Sequence, residues 1–222
     1  MSALILHLET STKICSVALS QNGQLLCYID KVGAGFIHGE ELTTMIQELL
    51  DNANVKLQDL SAISYSAGPG SYTGLRIGLS TAKGLCFALS LPLIALPTHQ
   101  ILFQIAAETD LNNDPTVVAL IDARRTEVYM ETYDATGKSS KKLHCALLEN
   151  TEISTLLPLV VVGDANEKAK AFWLAEPILW IDEALSAKFQ AKIAFQAFEK
   201  EAFEDLAYCS PIYLKGANGV LL

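Results

Sequence analysis

Two short polar turns and one glycine-rich segment hold the residue types that could do chemistry. Glu9-Thr10-Ser11-Thr12 ends an apolar run, Leu4 to Leu8, and sets a carboxylate beside three hydroxyls. Asp122, in Asp122-Ala123-Arg124-Arg125, stands at the equivalent place in the second half of the chain. A carboxylate and hydroxyls in a turn between strands can embrace phosphates, with the acid holding a hydrated metal. Ordinary turn chemistry is the competing reading, because Asp, Ser and Thr side chains hydrogen-bond neighbouring backbone and so favour turns. A glycine-rich adenosine loop is only thinly met by Val162-Gly163-Asp164-Ala165-Asn166. Glu9, Ser11, Thr12 and Asp122 are therefore the cofactor-binding candidates, as vestigial phosphate hairpins.

The third segment is Gly68-Pro69-Gly70-Ser71-Tyr72-Thr73-Gly74-Leu75-Arg76-Ile77-Gly78. A glycine-rich turn feeding a helix exposes free backbone N–H groups that suit an anion. It lacks the Gly-Lys-Ser/Thr ending of a Walker A loop, and a tight structural turn explains it as well. The helix it opens contains Gly74, Gly78 and Gly84, each costing about 1 kcal/mol relative to alanine. Gly74, Gly78 and Ala82 recur every fourth residue and make one smooth stripe. Close packing inside the chain's own lobe and close packing against a second protein both account for that stripe.

The remaining candidates are few. His7, His38, His99 and His144 are dispersed, without the i, i+4 pair and carboxylate of a helical metal site. His38 and Glu41 open a helix, where carboxylates favour the positive end of the dipole. No serine carries a GxSxG elbow. Cys15, Cys27, Cys86, Cys145 and Cys209 form an odd set without a CxxC pair, each in or beside an apolar stretch. They read as buried thiols in a reducing compartment.

The elements that must position these residues follow from periodicity. Leu4 to Leu8, Ile14 to Leu19 and Leu25 to Ile29 read as three strands, the last two joined by an Asn22-Gly23 hairpin. Leu42, Met45, Ile46, Leu49, Leu50 and Ala53 predict an amphipathic helix over His38–Ala53. Strand Ala62 to Ala67, helix Tyr72 to Leu89, strand Pro92 to Leu96 and helix His99 to Ala107 follow. The order then restarts: strands Thr116 to Ile121, Thr126 to Tyr133 and Leu143 to Leu148, strand Leu159 to Val162, helix Asn166 to Trp173, strand Ile178 to Ile181, and a long helix from Glu183 to Phe203. Three antiparallel strands followed by alternating α and β, twice over, predict an α/β protein with a duplicated actin-like (ASKHA, ribonuclease H-like) fold. Each lobe would have a mixed sheet and flanking helices. The lobes would divide as 1–110 and 111–222, because Leu111-Asn112-Asn113-Asp114-Pro115 breaks the pattern.

Composition narrows the class of function. The 222 residues are 50% apolar, enough for a sizeable core. A net charge of −9, with no basic run longer than two residues, leaves little to neutralise phosphates. Any work on RNA would need a partner to supply the grip. No apolar run reaches the roughly 20 residues of a membrane span. The first residues read as a strand and not as a signal peptide, so the expected compartment is the cytoplasm.

Leu8-Glu9-Thr10-Ser11-Thr12 with Cys15-Ser16-Val17-Ala18-Leu19, His38-Gly39-Glu40-Glu41-Leu42, the Gly68 to Gly78 string with Ala82-Lys83-Gly84-Leu85, Asp122 to Tyr129 and Pro211-Ile212-Tyr213-Leu214 together resemble the TsaB (YeaZ) family. The likeness is strongest in the first hundred residues and departs from the family pattern at Glu9, where Asp is usual. It implies a non-catalytic subunit that pairs with a TsaD-like catalytic subunit and a TsaE-like ATPase to place threonylcarbamoyl on adenosine 37 of tRNA. It also implies a homodimer when alone, and contact with tRNA only through the complex. The partner interface would be built by the helices 38–53 and 72–89, with His38, Glu41, Tyr72, Thr73, Gly74, Arg76, Gly78 and Ala82 as candidates. No cofactor, catalytic residue or metal is expected of the chain alone; ATP or ADP at the partner interface is the alternative. Two other function classes compete: an actin-like ATPase or sugar-kinase-type phosphotransferase, and a metal-dependent glycoprotease-like peptidase.

Overall fold

The computed structural model describes residues 2–33, 37–109, 111–112, 114–153, 156, 158–174 and 177–215. Strands β1 (Leu4–Glu9), β2 (Ile14–Gln21) and β3 (Gln24–Val32) form an antiparallel meander. Asn22, in the left-handed region at φ 51°, ties the β2–β3 hairpin back by accepting from Ala3 N at 2.8 Å. Helix α1 (His38–Ala53), strand β4 (Ala62–Gly68), helix α2 (Tyr72–Leu89) and strand β5 (Leu93–Pro97) follow. The sheet order is β3-β2-β1-β4-β5, with β4 parallel to β1 and to β5.

Helix α3 (Thr98–Ala106) leads to a second set: β6 (Thr116–Asp122), β7 (Glu127–Tyr133), β8 (Ser139–Leu147), β9 (Leu159–Gly163), the short helix α4 (Asn166–Lys170) and β10 (Ile178–Ile181). Their order, β10-β9-β6-β7-β8, repeats the first sheet strand for strand, with the same parallel and antiparallel pairs. The predicted duplication is therefore present in the strand pairing itself. Two predicted helices are shorter than expected. Helix α4 stops at Lys170, and the long helix expected over 183–203 is a 3-10 turn at Ala187–Gln190 followed by α5 (Ala191–Glu199).

The division into compact units corrects the linear boundary expected at residue 110. The first unit is Met1–Thr98 with Ser186–Tyr213; the second is His99–Leu185 with Leu214–Leu222. Asp110 and Asn113, in the expected linker, lie outside the described residues. The physical reason is that the first sheet has two faces to cover. Leu6, Leu8, Val17, Leu19, Ile63 and Tyr65 on one face bury against Leu42, Met45, Leu49, Leu79 and Ala82 of α1 and α2. The other face is polar yet fully buried: His7, Glu9, Ser16, Ser20, Ser64 and Ser66. Buried polar groups need hydrogen-bond partners: His7 bonds Ser20 and Ser64, Ser66 bonds Glu9, and the segment from Ser186 supplies partners for Ser16 and Ser64. Ala187 N donates to Ser16 Oγ at 2.8 Å, and Ser186 Oγ donates to Asp30 at 2.9 Å. Gln190 accepts from Ser64 Oγ at 2.7 Å while its amide donates to Leu8 O at 3.0 Å.

That chain of donors also fixes the state of His7. Ser64 gives its proton to Gln190, so it accepts from His7 Nδ1 at 2.6 Å, and Nε2 accepts from Ser20 Oγ at 2.7 Å. The imidazole is neutral, its pKa lowered to about 3 by burial. His99, in the second unit, is lowered to about 4 by burial, against its bond to Tyr129 O. Both values fall below the unfolded one, so the stability they contribute is complete above about pH 6.5 and is lost on acidification. Between pH 6.5 and 5 each histidine should cost roughly 2 kcal/mol. Urea unfolding across that range should show the falling midpoint, and His7→Gln should lessen its slope.

Candidate functional site

The turn between β1 and β2 is where the sequence candidates converge. Glu9 is fully buried at the end of β1. Its Oε1 accepts from Ser11 N at 2.7 Å, Ser11 Oγ at 2.5 Å and Ser66 Oγ at 2.9 Å. Oε2 has no hydrogen-bond partner among the described residues. Loss of water disfavours the charged form, and the carboxyl is pushed up to about 7 despite the bonds from Ser11 and Ser66 and the approach of the Gln190 amide.

The next three residues each hold a helix terminus. Thr10 Oγ1 donates to Gly74 O at 2.9 Å, Ser11 O accepts from Ser71 N at 2.6 Å, and Thr12 O accepts from His38 Nε2 at 2.8 Å. Ser71 caps α2, its Oγ accepting from Gly74 N at 3.2 Å. The glycine stripe of α2 exists for this contact. A Cβ on Gly74 would overlap Thr10 O, and one on Gly78 would overlap Thr10 Oγ1. Gly70 meets Ser11 O in the same way.

Several of the interface candidates are thereby corrected. Gly74, Gly78 and Ala82 are buried against the chain's own β1–β2 turn and core, and cannot also meet a second protein. His38 is fully buried too. Glu41 is half-exposed and pairs with Lys31 at 3.0 Å. Thr73 and Arg76 are exposed at the start of α2. There the Arg76 guanidinium lies 4.1 Å from the Tyr72 ring centroid, and its Nε donates to Tyr213 Oη at 3.2 Å.

The outward face of α2 continues through residues the sequence reading passed over. Thr73, Arg76, Ser80, Gly84 and Phe87 are all exposed and recur at helical spacing. A Cβ on Gly84 would meet nothing within 4 Å, and Phe87 is 83% exposed. The signal was available: Gly84 and Phe87 fall outside the four-residue period that joins Gly74, Gly78 and Ala82, so they belong to another face. Beside α2, α1 presents Glu40, Thr43, Thr44, Gln47, Glu48 and Asp51 to solvent. The two helices touch where Gly39 approaches Ile77.

The two hairpins engage most of their polar side-chain groups within the chain. The first spends Glu9 Oε1 and the hydroxyls of Thr10 and Ser11 on internal bonds and is pressed onto α2, leaving Glu9 Oε2 buried. In the second unit Asp122 Oδ1 accepts from Lys168 Nζ at 2.6 Å and from Arg124 N at 2.6 Å, while Asp122 N donates to Asp164 at 2.8 Å. Among the described residues no group of three or more His, Cys, Asp or Glu could hold a metal ion.

Two five-stranded sheets of identical order, each opening with a polar hairpin, define the actin-like class. At the level of fold alone this agrees with the activator of 2-hydroxyisocaproyl-CoA dehydratase from Clostridium difficile, solved with bound ADPNP, at a TM-score of 0.50 and 10% identity over 90% of this chain and 98% of that one. YeaZ from Pseudomonas aeruginosa is far more similar, with a TM-score of 0.82 and 29% identity over 96% of this chain and 100% of that one. The family described as TsaD: tRNA N6-adenosine threonylcarbamoyltransferase matches residues 34–217. The tRNA threonylcarbamoyladenosine biosynthesis protein TsaB of Escherichia coli (strain K12) is 36% identical over 95% of this chain and 94% of its own length. The chain belongs to the TsaB (YeaZ) branch of the TsaD family.

Glu9→Gln should keep the acceptor for Ser11 and Ser66 without burying a charge. Because the folded pKa lies above the unfolded one, wild-type stability is complete at low pH and is lost as pH rises from 4.5 to 7. The variant should therefore match the wild type near pH 4.5 and exceed it by up to roughly 3 kcal/mol at pH 8 in urea unfolding. The glycines give a matched pair. Gly78→Ala should destabilise by about 1–3 kcal/mol through overpacking on Thr10. Gly84→Ala should be neutral or stabilise by up to about 1 kcal/mol. Thermal unfolding of the two variants checks both.

Proposed function

We propose that this chain is a non-catalytic subunit for synthesis of N6-threonylcarbamoyladenosine at position 37 of tRNA, supporting a TsaD-like catalytic subunit. The observation that carries it is the outward face of α2: short side chains at Thr73, Ser80 and Gly84, Arg76 laid against Tyr72 and Tyr213, and the exposed Phe87, on a helix whose other side is fully engaged. A smooth surface with an exposed aromatic at its end suits close approach by another helix, and aromatics anchor interfaces. The relation to TsaB of E. coli over nearly the whole chain supports the same reading. So does the internal use of both hairpins, which leaves the chain poor in groups for chemistry of its own.

The contact residues are therefore revised to Thr73, Arg76, Ser80, Gly84 and Phe87 of α2, with Tyr72 and Glu41 at the border. A TsaE-like ATPase joins the assembly, ATP or ADP enters only with partners, and the isolated chain pairs with a second copy through the same helices. With a net charge of −9, tRNA is held through the complex. No helix among the described residues is long and apolar enough to cross a membrane, and we take the cytoplasm as the working compartment.

Size-exclusion chromatography with the TsaD-like subunit of the same organism is the test. The wild type should co-elute with it. Gly84→Leu, at an exposed position where a Cβ would meet nothing within 4 Å, should keep the thermal midpoint yet weaken the complex at least tenfold, about 1.4 kcal/mol. Absence of a wild-type complex, or full binding by Gly84→Leu, would refute the reading.

A further inference from the structure

We propose that the Thr10–Thr12 turn positions the first turns of α1 and α2 for association, with Thr10 and His38 as the positioning residues. The inference rests on the partner face described above. Three consecutive residues fasten three different points: Thr10 the Gly74 carbonyl, Ser11 the Ser71 amide, and Thr12 the His38 ring that opens α1. Thr10 and Ser11 are 1% exposed and His38 is 0%, so none of them touches a partner directly. Ser11 is held in turn by two bonds to Glu9, so the turn is braced from below.

The glycines set how closely the turn is seated on α2. An alanine at 74 and 78 would favour the helix by about 1 kcal/mol each, but would overlap Thr10 and unseat the turn. Hydroxyls and backbone groups that would face a phosphate in a nucleotide-binding hairpin here face helix termini. Association is thus the property that depends on them: a complex reads the relative placement of two helices, and loosening either lowers the fraction of molecules ready to bind.

The experiment uses the full chain and the TsaD-like subunit, with the dissociation constant measured by calorimetry and the thermal midpoint measured in parallel. Thr10→Val keeps the branched shape and removes the donor to Gly74 O; it should bind about fivefold more weakly at a temperature where it is fully folded. Thr10→Ser retains the hydroxyl and should bind within about twofold of wild type. His38→Gln probes the α1 tether in the same way and decides the question if Thr10→Val does not fold. Val and Gln variants that bind like the wild type overturn the inference while the partner reading stands. A Ser variant as weak as Val also overturns it, because the hydroxyl would then not be the cause. A wild-type chain that binds nothing refutes the partner reading and this inference with it.

Discussion

Thr10 sits in the groove that Gly74 and Gly78 leave on α2, and much of the first unit is arranged around that contact. The groove lets a polar strand turn approach a helix backbone closely enough for Thr10 Oγ1 to reach a helical carbonyl. With Thr10 seated, Ser11 and Thr12 fall within reach of the α2 cap and the α1 entry. The cost is a buried carboxyl, Glu9, whose Oε1 takes three donors while Oε2 takes none. Burial of that kind favours the neutral form, and the raised pKa is the electrostatic trace of how tightly the turn is packed.

The same constraint commits polar groups of the hairpins to bonds inside the chain. A hairpin that binds phosphate must leave donors unspent. Here Ser11 serves Glu9, Thr10 serves α2, and in the second unit Asp122 is neutralised by Lys168. Most of the polar groups of the two hairpins are internal structure here. Surface chemistry shifts accordingly to α2, where two sides of one helix do different work. Gly74, Gly78 and Ala82 admit the chain's own turn, and Thr73, Ser80, Gly84 and Phe87 face outward.

The C-terminal segment follows from the polarity of the first sheet. One face carries Leu6, Leu8, Val17 and Ile63 and can be covered by amphipathic helices. The other carries His7, Ser16, Ser20 and Ser64 and needs partners with matched donors and acceptors. His7 and Ser20 bond each other, and Ala187 and Gln190 provide partners for Ser16 and Ser64. The chain therefore returns to its first unit, and an even split at residue 110 was never available to it.

Alternation and helical stripes were enough to read β1 to β3, α1 and α2 from the sequence, because those signals are local: each strand or helix has one face that must be buried. The duplication was legible for the same reason, since the element order repeats. The family was legible in the Gly68 to Gly78 string. The partner of the glycine stripe, the end of the chain that covers the polar face, and the burial of His38 were decided only by tertiary structure. Each depends on which residues distant in sequence come within 3 Å of one another, as Thr10 does with Gly74. A glycine in a helix announces that something approaches closely, and only the folded chain says what.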